Sequence, residues 1–183
     1  VKVHATPLAG LLLIEPKVHR DARGYFLETH HQARYAEAGV AGPFVQDNLS
    51  YSVRGTLRGL HAQLAPHAQG KLVRAVDGEL FDVAVDVRRG SPTFGRWYGT
   101  VLSGANMHQL WIPPGFAHGF CVLSERVHVE YKCTDYYAPD HEIVVRWDDP
   151  EIGVEWPAGE RLLSPRDAAA PRLSDLLDRL PSY

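Results

Sequence analysis

The sequence predicts an all-β fold of short antiparallel strands, on three observations. Short runs rich in Val, Leu, Phe and Tyr recur along the whole chain. Gly, Pro and Asp punctuate them, and these are the residues that turn a chain between strands. Almost nothing between the runs is long enough to be a crossover helix, which a parallel sheet needs. An antiparallel barrel or sandwich with a few short helices remains.

From the N-terminus, strands are expected over residues 11–15, 25–29, 71–76, 80–87, 95–102, 109–112, 116–123 and 127–134. In Leu80-Phe81-Asp82-Val83-Ala84-Val85-Asp86-Val87, acidic and small residues interrupt the apolar ones at every second place, the period of a strand. Asp77-Gly78 lies between two such runs and predicts a hairpin. Helices are expected only over 31–38, ended by Gly39, and over 174–180, with Ser174 as N-cap and Pro181 beyond. There is no internal repeat and no low-complexity segment.

With 183 residues, 45% hydrophobic and 22% charged, the chain suits one domain over 1–183 with a core that needs no staples. Its parts are an N-terminal strand segment, the barrel and a short C-terminal helical tail. A net charge of −3, counting ten histidines neutral, carries no basic stripe for nucleic acid. A small anionic ligand needs only a local cluster of Arg and Lys. Cys121 and Cys133 lack CxxC spacing and read as buried, reduced thiols. Apolar runs such as 10–14 are too short to span a bilayer, and no basic-then-apolar leader opens the sequence. A cytoplasmic protein without a membrane partner is the expectation.

Four segments carry chemistry. The first is Arg54-Gly55-Thr56-Leu57-Arg58-Gly59-Leu60-His61, followed by Gln69-Gly70-Lys71-Leu72-Val73-Arg74. Alternation places Lys71 and Val73 on one face, so Lys71 can point inward with His61. A lone strand histidine is ordinarily a hydrogen-bonded core residue. Beside Arg and Lys its protonated form is disfavoured, and a neutral imidazole is suited to act as a base. The second segment, 111–120, delivers His118 from the turn Pro113-Pro114-Gly115 to the start of an apolar strand. The third, 130–137, puts Tyr131, Cys133 and Asp135 on one strand face and Lys132, Thr134 and Tyr136 on the other. In the fourth, Leu163-Ser164-Pro165-Arg166-Asp167, a late turn can return an Asp to orient a His.

In order, Arg23-Gly24-Tyr25-Phe26-Leu27-Glu28, Gln46-Asp47-Asn48, 55–63, 69–74, Gly90-Ser91-Pro92-Thr93-Phe94-Gly95, 111–120 and 131–139 resemble the dTDP-4-dehydrorhamnose 3,5-epimerase family, nearly the whole chain. The resemblance implies an antiparallel jelly-roll (cupin) barrel. Metal-binding cupins pair His-x-His with a following Glu and a later His. Here His61 and His118 are present, but Gln63 stands at the second His position, no Glu follows at the needed spacing, and His67 lies in a Pro-containing loop. Two histidines alone make a poor metal site, so neither metal nor cofactor is expected.

The implied chemistry is inversion of carbons beside a ketone, through an enolate, on a dTDP-linked 4-keto-6-deoxyhexose. By resemblance His61 is the base, Tyr131 the acid on the opposite face, Lys71 the enolate stabiliser, and Asp167 the group that holds the His61 tautomer. Arg23, Phe26, Glu28, Gln46, Asp47, Asn48, Arg58, Lys71, His118, Glu142 and Arg166 would surround the substrate. Tyr137 would stack on the thymine. Arg23 and the 46–48 segment would reach a neighbouring subunit's site, which implies a homodimer. Ala62 replaces a larger residue and is expected to enlarge the sugar pocket; Arg166 replaces a Lys. Single epimerases that invert only carbon 3 or carbon 5 share these motifs and form the alternative. A non-catalytic, sugar-nucleotide-binding barrel is a more distant one.

Overall fold

The computed structural model describes residues 1–183. Two antiparallel sheets face each other in a jelly-roll. The first, in spatial order, consists of β1 (Lys2–Ala5), β2 (Leu12–Glu15), β10 (Gln109–Ile112), β7 (Lys71–Asp77), β12 (Arg126–Cys133) and β5 (Gln46–Val53). The second consists of β13 (Glu142–Val144), β6 (Leu57–Gln63), β11 (Phe116–Val122), β8 (Glu79–Asp86) and β9 (Trp97–Ser103). A separate hairpin, β3 (Val18–Asp21) with β4 (Gly24–Leu27), projects from them. All eight expected strands form, within a residue or two of their expected ends.

Strand alternation sorts side chains into three layers. Between the sheets lie Val73, Ala75, Leu110, Val127 and Val129 from one side, and Leu80, Ala84, Phe116, Phe120 and Val122 from the other. Behind the second sheet, Leu60, Ala62, Val83, Val85 and Ile143 pack beneath Leu173, Leu176 and Leu180 of the C-terminal segment. Behind the first, Ile14, Leu72 and Trp111 pack on Tyr35 and Val40. The alternation in 80–87 therefore separates two buried layers rather than core from water, and this leaves Asp82 and Asp86 fully buried. A buried carboxylate needs partners. Asp86 takes Arg88 at 2.8 and 2.7 Å, Ser91 Oγ at 2.6 Å and Thr93 Oγ1 at 2.7 Å, which accounts for the Gly90–Gly95 motif.

The helix α1 (Gln32–Glu37) falls where expected, with Tyr35 donating to Gln109 Oε1 at 2.8 Å. The C-terminal helix is instead a 3₁₀ helix, Leu173–Arg179, capped at Arg172 rather than Ser174. Asp175 sets that start by accepting from Arg172 N at 3.1 Å.

Asp77-Gly78 is not a hairpin. β7 pairs with β10 and β12, whereas β8 pairs with β11 and β9, so the chain crosses here from one sheet to the other. Asp77 Oδ1 accepts from His128 N at 3.0 Å and is 2.7 Å from its ring Nδ1, which ties the corner to β12. Gly78 supplies a φ of +71°. A local turn signal reports that backbone angle and not which strand the chain pairs with next.

Strands 2–5, 18–21, 46–53, 57–63 and 142–144 lie outside the eight expected runs. They are short or interrupted by polar residues, as in Gln46-Asp47-Asn48, and only pairing with neighbours makes them strands.

Candidate active site

His61 lies on β6, directly across from His118 on β11 and Val144 on β13. Its partner comes from the helix α2 (Pro165–Ala168), whose N-cap Ser164 accepts from Asp167 N at 3.1 Å. Pro at the first helical position fits this start. Asp167 is 3% exposed, and its Oδ1 accepts from His61 Nε2 at 2.6 Å. Burial pushes the Asp167 carboxyl up, but the hydrogen bond and charge of His61, with Gly59 N and Ser164, pull it net below its ordinary value. An ionised carboxylate only accepts, so the imidazole proton sits on Nε2 and the Nδ1 lone pair is free. His61 is thus paired with a carboxylate, where its sequence neighbours had indicated cations.

A regular strand would put Arg58 and His61 on opposite faces. Here three steps along β6, from His61 to Arg58, match two along β11, from His118 to Phe120. This bulge brings both side chains to the inner side. Gly59 makes it possible: its φ is +130°, and a Cβ there would lie 2.5 Å from Gly119 Cα and 2.8 Å from the His118 carbonyl oxygen. Gly59→Ala is expected to cost about 2–4 kcal/mol and to displace both Arg58 and His61. Denaturant unfolding measures the loss; a midpoint equal to wild type would contradict this role.

Lys71, Tyr131 and Cys133 face His61 from the other sheet. Lys71 is cross-strand from Cys133, and Tyr131 from Val73, on the inner face of β7 and β12. Burial depresses the Lys71 ammonium, partly offset by Cys133, Glu142 and Asp82. Burial raises the Tyr131 phenol, as does the neighbouring Cys133. Neither the Lys71 amine nor the Tyr131 hydroxyl is committed to a protein hydrogen bond, in contrast to Arg74, which turns to the outer face and pairs with Glu130 at 2.6 Å. His118 is held by the buried Asp82 at 2.9 Å. Arg58 reaches across to β5, donating to Ser52 Oγ at 3.1 Å.

At the rim, Glu142 Oε2 pairs with Arg166 at 2.5 Å and accepts from Tyr137 Oη at 3.3 Å. Gln46 accepts from Tyr137 N at 2.9 Å, and Asn48 Nδ2 donates to Cys133 Sγ at 3.6 Å, so both line the inner side of β5. Arg58, His61, Ser164, Arg166 and Asp167 border a cavity of about 360 Å³.

Four expected residues are not brought there within one chain. Asp47 turns to the outer face and pairs with Lys132 at 3.0 Å, as alternation between Gln46 and Asn48 requires. Arg23 pairs with Asp21 at 2.7 Å and Phe26 is 70% exposed, both on the projecting hairpin; Glu28 pairs with Arg34. Ala62 packs behind the sheet and does not widen the sugar pocket. Asp135 lies past the end of β12, beside His67 at 3.2 Å, so it does not extend the Tyr131 face. The sequence reading missed Asp82 as the partner of His118, although an acid at an inward place in a buried run was its signal. No group of three or more His, Cys, Asp or Glu side chains is placed to hold a metal ion. No helix is long and apolar enough to cross a membrane.

Residues 5–175 match the family model for dTDP-4-dehydrorhamnose 3,5-epimerase. An enzyme of that description from Pseudomonas aeruginosa is 54% identical over 93% of this chain and 96% of its own length. One from Neisseria gonorrhoeae is 54% identical over 90% of this chain, which spans only 50% of that relative. The crystal structure of dTDP-6-deoxy-D-glucose-3,5-epimerase from Legionella pneumophila in complex with dTDP-4-keto-L-rhamnose superposes with a TM-score of 0.96 at 50% identity, covering 100% of this chain and 98% of that one. A histidine on one sheet, held by an aspartate from α2, faces an uncommitted lysine and tyrosine on the other; the family model over residues 5–175 and relatives at 54% and 50% identity along almost the whole chain supply the family independently: the chain belongs to the dTDP-4-dehydrorhamnose 3,5-epimerase family.

Proposed function

We propose that the protein converts dTDP-4-dehydro-6-deoxy-D-glucose to dTDP-4-dehydro-L-rhamnose by inverting carbons 3 and 5. The observation that carries this reading is the opposition of His61–Asp167 to Lys71 and Tyr131 across the barrel. The ketone at carbon 4 acidifies both neighbouring C–H bonds. His61 Nδ1 takes the proton from one face, the electron pair moves to the ketone oxygen, and the enolate forms. Lys71 and His118 supply positive charge or hydrogen bonds to that oxygen. Such a donor is typically worth roughly two to three powers of ten in rate. Tyr131 then delivers its proton to the other face of the carbon, which inverts it, and solvent resets both residues. Asp167 stabilises the imidazolium as it forms.

Arg58, Glu142 and Arg166 suit the diphosphate and sugar, and Tyr137 the base, because guanidinium forks match phosphate oxygens and an aromatic ring stacks on a flat heterocycle. The exposed hairpin with Arg23 and Phe26 is assigned to a second copy of the chain, whose site it would complete. Its exposed Tyr25 and Phe26, and the Leu49–Tyr51 side of β5, support a homodimer, because large apolar side chains on projecting elements favour a covering surface. Light scattering measures that state, and a cytoplasmic setting fits a sugar-nucleotide substrate.

The test is the reaction in deuterated water, coupled to a reductase that forms rhamnose. Deuterium at both carbon 3 and carbon 5 of the product is expected. Lasting hydrogen at carbon 5 would make this a 3-epimerase, and no exchange at either carbon would leave only a binding barrel.

A further inference from the structure

Gln63 lies two residues past His61 on β6 and is 6% exposed. Its amide is fully engaged with backbone. Nε2 donates to the carbonyls of His67 and of Tyr136, the latter at 2.9 Å, and Oε1 accepts from Ala138 N at 2.9 Å. The last two groups flank Tyr137, whose own N–H donates to Gln46 Oε1 at 2.9 Å. Residues 136–138 belong to no strand or helix. Two glutamine side chains, one from each sheet, therefore stand in for the ladder that this stretch lacks.

The arrangement is specific to an amide. A carboxylate at 63 has no donor for the two carbonyls, and a thioether has no donor and only a weak acceptor. An untethered three-residue stretch would also have to be ordered at each binding event, which weakens affinity without touching the chemistry. We infer that Gln63 is a positioning residue for nucleotide binding: it acts through Tyr137, holding residues 136–138 so that the ring is ready for the base, and takes no part in proton transfer. This rests on the proposal that Tyr137 faces the nucleotide.

The test uses the full-length protein and dTDP as probe. Gln63→Met preserves the length of the side chain and removes all three hydrogen bonds. The Kd for dTDP, by calorimetry, is expected to rise about tenfold, the equivalent of one net buried hydrogen bond or slightly more. KM for the keto sugar nucleotide should rise in parallel, while kcat stays within about threefold, because general acid–base catalysis runs through other groups. Should Gln63→Met be too unstable to purify, Gln63→Asn keeps the amide but ends one methylene short, and the same constants are read.

Tyr137→Ala, alone and combined with the Gln63 variant, separates the two ideas. If Tyr137→Ala weakens dTDP and the Gln63 variant adds little more, the two act as one unit, as inferred. If Tyr137→Ala weakens dTDP but a folded Gln63 variant binds like wild type, the positioning role is overturned. If Tyr137→Ala leaves dTDP binding unchanged, the placement of the nucleotide beside Tyr137 is itself wrong. A fall in kcat with KM constant would equally overturn the assignment.

Discussion

His61→Ala is expected to lower turnover by about three to four orders of magnitude, because it removes the group that takes the proton from both carbons. Solvent exchange at carbons 3 and 5 should vanish together with product. dTDP should still bind, since Tyr137, Glu142 and Arg166 are tied to one another and not to the imidazole. Steady-state rates, proton spectra in deuterated water and calorimetry measure the three quantities. Retention of most of the activity would reject His61 as the base. The partner carboxylate gives the stability of the wild-type protein a pH dependence. Asp167 is held below its ordinary value, so it is ionised throughout the neutral range. The stability it contributes through His61 is present above the unfolded value of about 3.9 and is lost as pH falls through the lowered folded value.

Tyr131→Phe should produce a different pattern. Inverted product is expected to fall by about two to three orders of magnitude, while loss of the substrate's hydrogen to solvent continues within about tenfold of wild type. The base and the enolate stabilisers are intact in this variant; only the acid on the far sheet is gone. Burial and the neighbouring Cys133 raise the phenol above its ordinary value, so it is fully protonated at neutral pH and ready to donate. An equal fall in exchange and inversion would show that Tyr131 serves the first proton transfer as well, and would remove its assignment as the acid alone.

Much of the fold and the chemical set was legible in the sequence. Apolar runs of strand length, Gly and Pro between them, and the order of seven motifs identify an antiparallel jelly-roll. The inward direction of Lys71 follows from alternation and the structure bears it out. The opposing Tyr131 is likewise on the inner face, and Asp167 does return to His61 from a late turn. The directions of Lys71 and Tyr131 are local properties, since spacing along one strand decides which residues share a face, whereas the Asp167 pairing joins segments 106 residues apart.

Other features were decided only by the tertiary structure. The bulge at Gly59 overrides alternation and brings Arg58 inward beside His61, because two backbones approach so closely there that no side chain fits between them. The Asp77-Gly78 turn joins two sheets rather than two paired strands, since its glycine specifies a backbone angle and the packed sheets choose the partner. That Ala62 meets the Leu173–Leu180 cover behind the sheet likewise depends on a distant segment packing there. Residue types and periodicity are encoded along the chain. Which sheet a strand joins, and where a ladder breaks, depend on contacts between distant segments, and only the folded packing fixes those.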